Sequence, residues 1–249
     1  MPTRVAVVGA TGRLGTQVCQ VVEAIPEMEL VARLDSHSDL HDMLGADIAV
    51  DVTLPGVSAQ VVDFAIAQGI RVLVGTSGWS ADRLASLTKT VAEHPGASVF
   101  IVPNFSLGAT LQMMISNTVA EHFESIEIVE AHHAGKADSP SGTAVRTAEE
   151  VAAVRRDRGG VIAPHSNQSA RGEQVQGMPV HSLRLNGVLA QQDAKFGGVG
   201  ETLTITHDTH SRDAYQAGIV RALRFMENHM GLAVGLEHAL AATDSSIAP

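Results

Sequence analysis

Cysteine is nearly missing from this chain: Cys19 stands alone among 249 residues. A single thiol excludes an intrachain disulfide and fits a reducing compartment. Positive charge is scarce as well. Lys and Arg number 17 against 27 Asp and Glu, a formal net charge of −10, which argues against nucleic acid or an anionic membrane as partner. An anionic small molecule has to be drawn in by local groups, not by the field of the whole protein. No apolar run reaches the roughly 20 residues that cross a bilayer. The first residues read as a strand, not as a basic, apolar, small-residue leader. The expectation is a cytoplasmic protein with neither a nucleic-acid nor a membrane partner. Internal repeats and low-complexity tracts are lacking too. What is plentiful is apolar content, 45%, enough for the core of one large or two modest domains.

The N-terminus spells strand, turn, helix. Arg4 to Val8 is apolar and rich in β-branched residues, Gly9-Ala10-Thr11-Gly12-Arg13-Leu14-Gly15 follows, and Thr16 to Ala24 has apolar residues at helical spacing. The glycines permit a tight turn and let a diphosphate approach the helix N-terminus. The spacing is G-x-x-G-x-x-G, looser than G-x-G-x-x-G. A second strand, Leu30 to Asp35, ends in an acid twenty residues after Gly15, where a dinucleotide fold places the carboxylate that binds ribose hydroxyls. In that context the glycines predict a nicotinamide dinucleotide site rather than a turn serving only helix–strand packing. Asp35 favours NADH, since a carboxylate repels a 2′-phosphate. Arg13 argues for NADPH, since a guanidinium can pair with that phosphate. Both are expected to bind, with the preference undecided.

Strands and helices alternate to about residue 105. Ile48 to Thr53, Arg71 to Gly75 and Val99 to Val102 read as strands, and Val57 to Ala67 and Ser80 to Glu93 as helices. In an open parallel sheet, ligands bind outside the carboxyl ends of the strands. Gly9, Asp35, Gly75 with Thr76 and Ser77, and Val102 with Pro103, Asn104 and Phe105 all fall at such ends. The pattern then changes. Gly108 to Glu121 reads as a long helix, Ile126 to Glu130 as a strand, Gly142 to Arg155 as a helix, and Arg156 to Gly177 as a polar loop. Val180 to Leu185, Val188 to Phe196 and Glu201 to His207 alternate like strands separated by Gly-containing turns. The fold class expected is α/β: an N-terminal Rossmann domain over 1–106, completed by 213–249, and a smaller α+β domain over 107–212 with a four-stranded sheet. That sheet needs cover for its open face or edges, so oligomerisation through it is expected. The helix Asp213 to His229 is expected to return to the first domain.

Glu130 to Ala144 is the most informative stretch. It gathers two imidazoles, an amine, two carboxylates and a helix start within fifteen residues. Ser141-Gly142-Thr143 ahead of an Ala-rich run reads as a helix N-terminus, whose N–H groups attract anions. His132, His133 and Lys136 lie just upstream. Such a site can hold a substrate carboxylate on N–H groups and Lys while His or Lys moves a proton, which points to a small dianionic acid. An idle, solvated loop is the bland alternative. A zinc site built from the two histidines and Asp138 is another, but the usual ligand spacings are missing and Cys19 is distant in sequence, so no metal is expected.

With these residues in view, the chain resembles the dihydrodipicolinate (4-hydroxy-tetrahydrodipicolinate) reductase family. The signature E-x-H-H-x-x-K-x-D-x-P-S-G-T-A runs unbroken from Glu130 to Ala144, and the glycine-rich start, Val74 to Gly78, Pro103 to Gly108, Gly177 to Ser182 and Gly200 to Ile205 match in order. The resemblance implies NAD(P)H-dependent reduction of a cyclic dicarboxylate with loss of water, in diaminopimelate and lysine biosynthesis, by a homotetramer built on second-domain sheets. It implies His132 as proton donor or acceptor, Lys136 as proton donor, His133 as a substrate contact, and Gly142 with Thr143 as the pair holding a carboxylate. It implies cofactor contacts at Gly9, Ala10, Thr11, Gly12, Arg13, Leu14, Asp35, Gly75, Thr76, Ser77, Val102, Pro103, Asn104 and Phe105. Relatives often carry Lys near Thr11 and Arg13, and no Arg follows Asp35 directly here, which leaves the cofactor preference open. Another reductase of a small imino or oxo acid, and a non-catalytic NAD(P) sensor, are the competing readings.

Overall fold

The computed structural model describes residues 1–241. Residues 242–249, which fall within the expected completion of the first domain, lie outside the described residues. The chain divides into two units, Met1–Ser106 together with the chain from Tyr215, and Leu107–Ala214.

The first unit begins β1 Thr3–Val8, α1 Arg13–Ala24, β2 Met28–Leu34, β3 Ile48–Asp51, α2 Ser58–Ala67, β4 Arg71–Val74, α3 Ala81–Glu93 and β5 Ser98–Ile101. Its strands are short, near-continuous apolar runs, as a parallel sheet covered on both faces requires. Val5, Val7, Val50, Leu73 and Phe100 are fully buried, each worth about 1.5–3 kcal/mol on leaving water. Val18, Cys19, Val21 and Val22 give α1 its buried stripe, and Pro26 stops the helix just after Ile25.

The second unit holds α4 Leu107–Ala120, β6 Ser125–His133, α5 Gly142–Val154, β7 Glu173–Val175, β8 Met178–Leu185, β9 Ala190–Gly198 and β10 Glu201–Thr209. The chain then returns to the first unit with α6 Gln216–Asn228, β11 Gly231–Val234 and α7 Glu237–Ala241. Phe225 of α6 packs on Phe100 with ring centroids 4.7 Å apart.

The six-stranded sheet of the first unit runs β11-β5-β4-β3-β1-β2, with every pair parallel. From β1 the chain goes to one side for β2 and to the other for β3, which sets the topological switch point beside β1. β11 was not anticipated. Its four residues follow a helix end directly and add an edge strand to β5, too short to stand out as a pattern. The expected helix from Asp213 instead opens with a 3-10 turn at Arg212–Tyr215, and the α-helix starts at Gln216.

The second sheet runs β10-β9-β6-β8-β7. It has five strands where four were expected. The extra strand, β7, lies in the stretch read as a loop. It has only three residues and pairs β8 alone across a tight turn. Gln176 and Gly177 form that turn with φ of 52° and 81°, the doubly left-handed geometry of a two-residue hairpin. On one face Ile126, Ile128, Val180, Ala194 and Phe196 pack with Ala144, Ala148 and Val151 of α5. Farther along the same face the register lines up Ser182, Glu130, Gln192 and His207 in one row, followed by His132 beside Arg184. The face thus changes from hydrocarbon to polar along the length of the strands. Gln192 donates to Gln112 of α4 at 3.1 Å and to Thr147 of α5 at 3.0 Å, which pins both helices over the polar row.

Candidate active site

The glycine turn sits at the switch point of the first sheet. Gly9 has φ +89°, and a Cβ there would lie 2.6 Å from the Val52 carbonyl oxygen, so only glycine fits. Gly9 and Ala10 both donate to the Leu34 carbonyl at 2.9 and 3.0 Å, which ties the turn to the end of β2. Helix α1 starts at Arg13 on Gly12, with no side-chain cap, so its first turn presents main-chain N–H groups at the helix's positive end. Thr11, Gly12 and Arg13 are exposed, and Leu14 is half-buried. Asp35 is exposed just past β2, and its carboxylate accepts from the His37 N–H at 2.9 Å and the Ser38 hydroxyl at 3.1 Å. Those bonds, that from His37 first, hold it below the usual carboxylate range.

Gly75, Thr76 and Ser77 follow β4. A Cβ at Gly75 would meet the Phe105 ring at 2.7 Å, so Phe105, itself buried, works here as packing beneath the turn. Val102 is buried and donates to the Val74 carbonyl at 2.7 Å. Pro103 is exposed, and Asn104 accepts from the Ser106 N–H at 2.9 Å. All of these lie at carboxyl ends of strands in one sheet.

In the second unit, β6 carries Glu130 and His132 on the helix-covered face. Glu130 is wholly buried, and a carboxylate without water is costly unless its oxygens are satisfied. Arg184 of β8 reaches it with both terminal nitrogens, Nη2 to Oε1 at 2.9 Å and Nη1 to Oε2 at 3.0 Å. His132 Nδ1 lies 2.6 Å from Oε2, and the Ser141 N–H donates to Oε1 at 3.2 Å. Burial pushes Glu130 up, but the hydrogen bonds from Arg184, Ser182 and His132 outweigh it and leave the group below its ordinary value. His132 is lowered, chiefly by burial, against the opposing pull of Glu130; the nearby charges of Lys136 and Arg184 lower it further.

Lys136 follows the strand in a loop and donates to both Asp138 oxygens at 2.7 Å. Ser141 is the N-cap of α5 and accepts from the Ala144 N–H at 3.2 Å, so Gly142 and Thr143 head the helix. Gly142 is exposed, and a Cβ there would meet nothing within 4 Å. The structure therefore gathers His132, Lys136 and the Ser141–Thr143 helix start around Glu130. His133 is treated differently. As the last residue of β6 it is exposed, and strand alternation turns it to the face opposite His132. Two residues missed from the sequence are central here. Glu130 was noted only as part of a motif, and Arg184 was not singled out. The signal was available in β8, where Val180, Ser182 and Arg184 alternate onto one face, and an arginine on a covered face calls for a carboxylate.

A doubly wound sheet with a glycine turn and an acid just past its second strand, in one chain with an acid–base array around a buried glutamate, defines a pyridine-nucleotide-dependent reductase. Similarity to known proteins makes the class particular. Residues 3–105 match the family model for the N-terminus of dihydrodipicolinate reductase, and residues 108–240 match that for its C-terminus. The chain is 56% identical over 240 residues to 4-hydroxy-tetrahydrodipicolinate reductase of Clavibacter sepedonicus, covering 96% of this chain and 87% of that one. It is 43% identical over 243 residues to the enzyme of the same name from Streptomyces griseus, covering 95% and 97%. A solved structure of dipicolinate-bound dihydrodipicolinate reductase from Paenisporosarcina sp. TG-14 aligns with a TM-score of 0.79 at 30% identity, over 96% of this chain and 99% of that one. The chain belongs to the dihydrodipicolinate reductase family.

Proposed function

We propose that this chain reduces 4-hydroxy-tetrahydrodipicolinate to tetrahydrodipicolinate with NADH or NADPH and loss of water, on the diaminopimelate route to lysine. The carrying observation is the array around Glu130. It sets a lysine, a histidine and a helix N-terminus together, which suits a dianion that must be held and protonated. Gly142 and Thr143 hold one carboxylate through the helix start, and Lys136 neutralises a carboxylate and donates a proton. His132 serves as proton donor or acceptor, and His133 contacts substrate from the exposed end of β6.

The first unit, 1–106 with the chain from about 213, is the dinucleotide-binding domain, and residues 107–212 form the substrate and assembly domain. The absence of room for any Cβ at Gly9, together with the uncapped start of α1, fits a diphosphate, and Asp35 fits ribose hydroxyls. Gly9 to Leu14, Asp35, Gly75 to Ser77 and Val102 to Phe105 are the residues to hold the cofactor, the buried Val102 and Phe105 through their main chain only. Bound there, the reduced nicotinamide supplies a hydride, and positioned acids such as Lys136 typically add about 10²–10⁴-fold by quenching the charge that results.

A homotetramer is supported by the second sheet. Its helices pack on one face, while on the other Leu183 and Leu185 are 46% and 47% exposed. A monomeric mass in sedimentation at low micromolar concentration would overturn it. The single cysteine supports a cytoplasmic setting, and among the described residues no helix is long and apolar enough to cross a membrane.

The test generates the unstable substrate in place, from pyruvate and aspartate semialdehyde with the preceding synthase, and follows nicotinamide absorbance with NADH and NADPH separately. Synthase-dependent oxidation, lost in Lys136→Ala and comparably in His132→Ala, is expected. Cofactor binding by calorimetry without oxidation would move the function to another imine or to sensing.

A further inference from the structure

Glu130 and Arg184 join parts of the site that are separate in sequence. The Arg184 fork holds Glu130, and Nη2 of the same arginine also donates to the Asp138 carbonyl at 2.5 Å, in the loop that carries Lys136. Glu130 in turn binds the His132 ring and the N-cap amide of α5. One buried ion pair thus touches all three elements: the histidine, the lysine loop and the helix start. Glu130 is fully buried, and both terminal nitrogens of Arg184 are taken up by the Glu130 carboxylate and by the Leu183 and Asp138 carbonyls. Both are suited to act through other residues.

We propose that Glu130 and Arg184 are positioning residues, which fix His132 as the Nδ1–H tautomer with Nε2 presented and hold the Lys136 loop and the α5 start in one geometry. This rests on the reductase reading above. A carboxylate can only accept, so the Nδ1–Glu130 bond requires a proton on Nδ1. The charged groups facing His132 are Glu130 on its own strand, Lys136 on the following loop and Arg184 on β8. β9 places the neutral Ala190 in register with it. The neutral ring therefore offers Nε2 as an acceptor, and Lys136 is the group with a proton to give. Buried pairs of this kind are weak sources of stability, but removing one partner strands the other, so the pair must be tested with conservative changes.

The experiment pairs ring ¹⁵N NMR of His132 with the pH profile of kcat/KM for wild type, Glu130→Gln and Arg184→Lys. The wild-type ring is expected as Nδ1–H. In Glu130→Gln the tautomers mix, kcat falls at least tenfold, and the acid limb moves to lower pH, because the carboxylate that favours the imidazolium has gone. Arg184→Lys keeps the charge but loses the fork, so KM rises as the loop loosens while the ring tautomer holds. An Nε2–H ring in wild type, or wild-type kcat, KM and pH profile in both variants, overturns the proposal. Should Glu130→Gln fail to fold, Arg184→Lys and the wild-type spectrum carry the decision. A wild-type chain with no reductase activity would count against the function, while the ring spectrum would still decide the positioning.

Discussion

Lys136 spends its charge on Asp138: the ammonium sits 2.7 Å from both carboxylate oxygens, and the Asp138 side chain is 60% exposed. The Asp138 carboxylate offers Lys136 the same chemical group as the substrate carboxylate that Lys136 is proposed to neutralise. The lysine also holds Asp138 below the usual carboxylate range, so the pair persists through neutral pH. An exposed pair of this kind is worth about 1 kcal/mol or less, weak enough for a dianion to displace.

Asp138→Asn removes the internal competitor but keeps the loop's length and shape. KM for the dicarboxylate should fall about two- to fivefold, the most that an interaction of that strength allows, with kcat close to wild type. Steady-state kinetics decide it, and a raised KM would show that Asp138 aims Lys136 instead of competing for it.

At Gly142 the protein itself leaves room, so a substitution probes the ligand and not the fold. Beyond its chain neighbours and the helix's own backbone, nothing lies within 4 Å of a Cβ there. Gly142→Val should leave Tm within a degree or two while KM rises at least tenfold, because the added methyls cover the helix-start N–H groups. An unchanged KM would remove Gly142 from the carboxylate site.

Gly15 gives the opposite outcome. Its Cβ would stand 2.0 Å from the Gly9 carbonyl oxygen and 2.8 Å from Ala10 Cα, both backbone atoms. Gly15→Ala must push α1 off the glycine turn, a change on the scale of overpacking, about 1–3 kcal/mol or more. Lower Tm and weaker cofactor binding by calorimetry are expected together. A loss of binding with Tm intact would mean that the turn, not the helix, had moved.

The sequence made the first unit legible because parallel strands read as unbroken apolar runs with glycine at their ends; Val5 to Val8 before Gly9 and Val72 to Val74 before Gly75 are such runs. It made the site's chemistry legible because His132, Lys136 and Ser141 to Thr143 lie within one short segment. Arg184 escaped because it reaches Glu130 across 54 residues, and nothing local to β8 names its partner. β7 escaped because three residues, two of them polar, carry no period, and its evidence is the Gln176-Gly177 turn. His133 parts from its neighbour: adjacency in sequence groups it with His132, while strand alternation sends the two rings to opposite faces.

Through the acid range the shifted histidines and carboxylates all push stability in one direction with pH. Burial lowers His132, His207 and His229. Between their folded values and the unfolded value near 6.5, the unfolded chain binds more protons, so stability rises with pH and is lost as pH falls. Asp138, Glu127 and Glu130 are also lowered: Asp138 first by its bond from Lys136, and the two glutamates because partners such as Arg171 and Arg184 outweigh burial. Their contribution is present above the unfolded carboxylate value of about 4 and disappears as pH falls through the lower folded values. Two acid steps follow, the first beginning below about pH 6.5 and the second below about pH 4. His132→Gln should soften the first step, since one of its three histidines is gone, and leave the second. Thermal melts across pH 8 to 3 in a buffer series of constant ionic strength test this. A Tm that stays level or rises as pH drops from about 6.5 to 5 would refute the assignment.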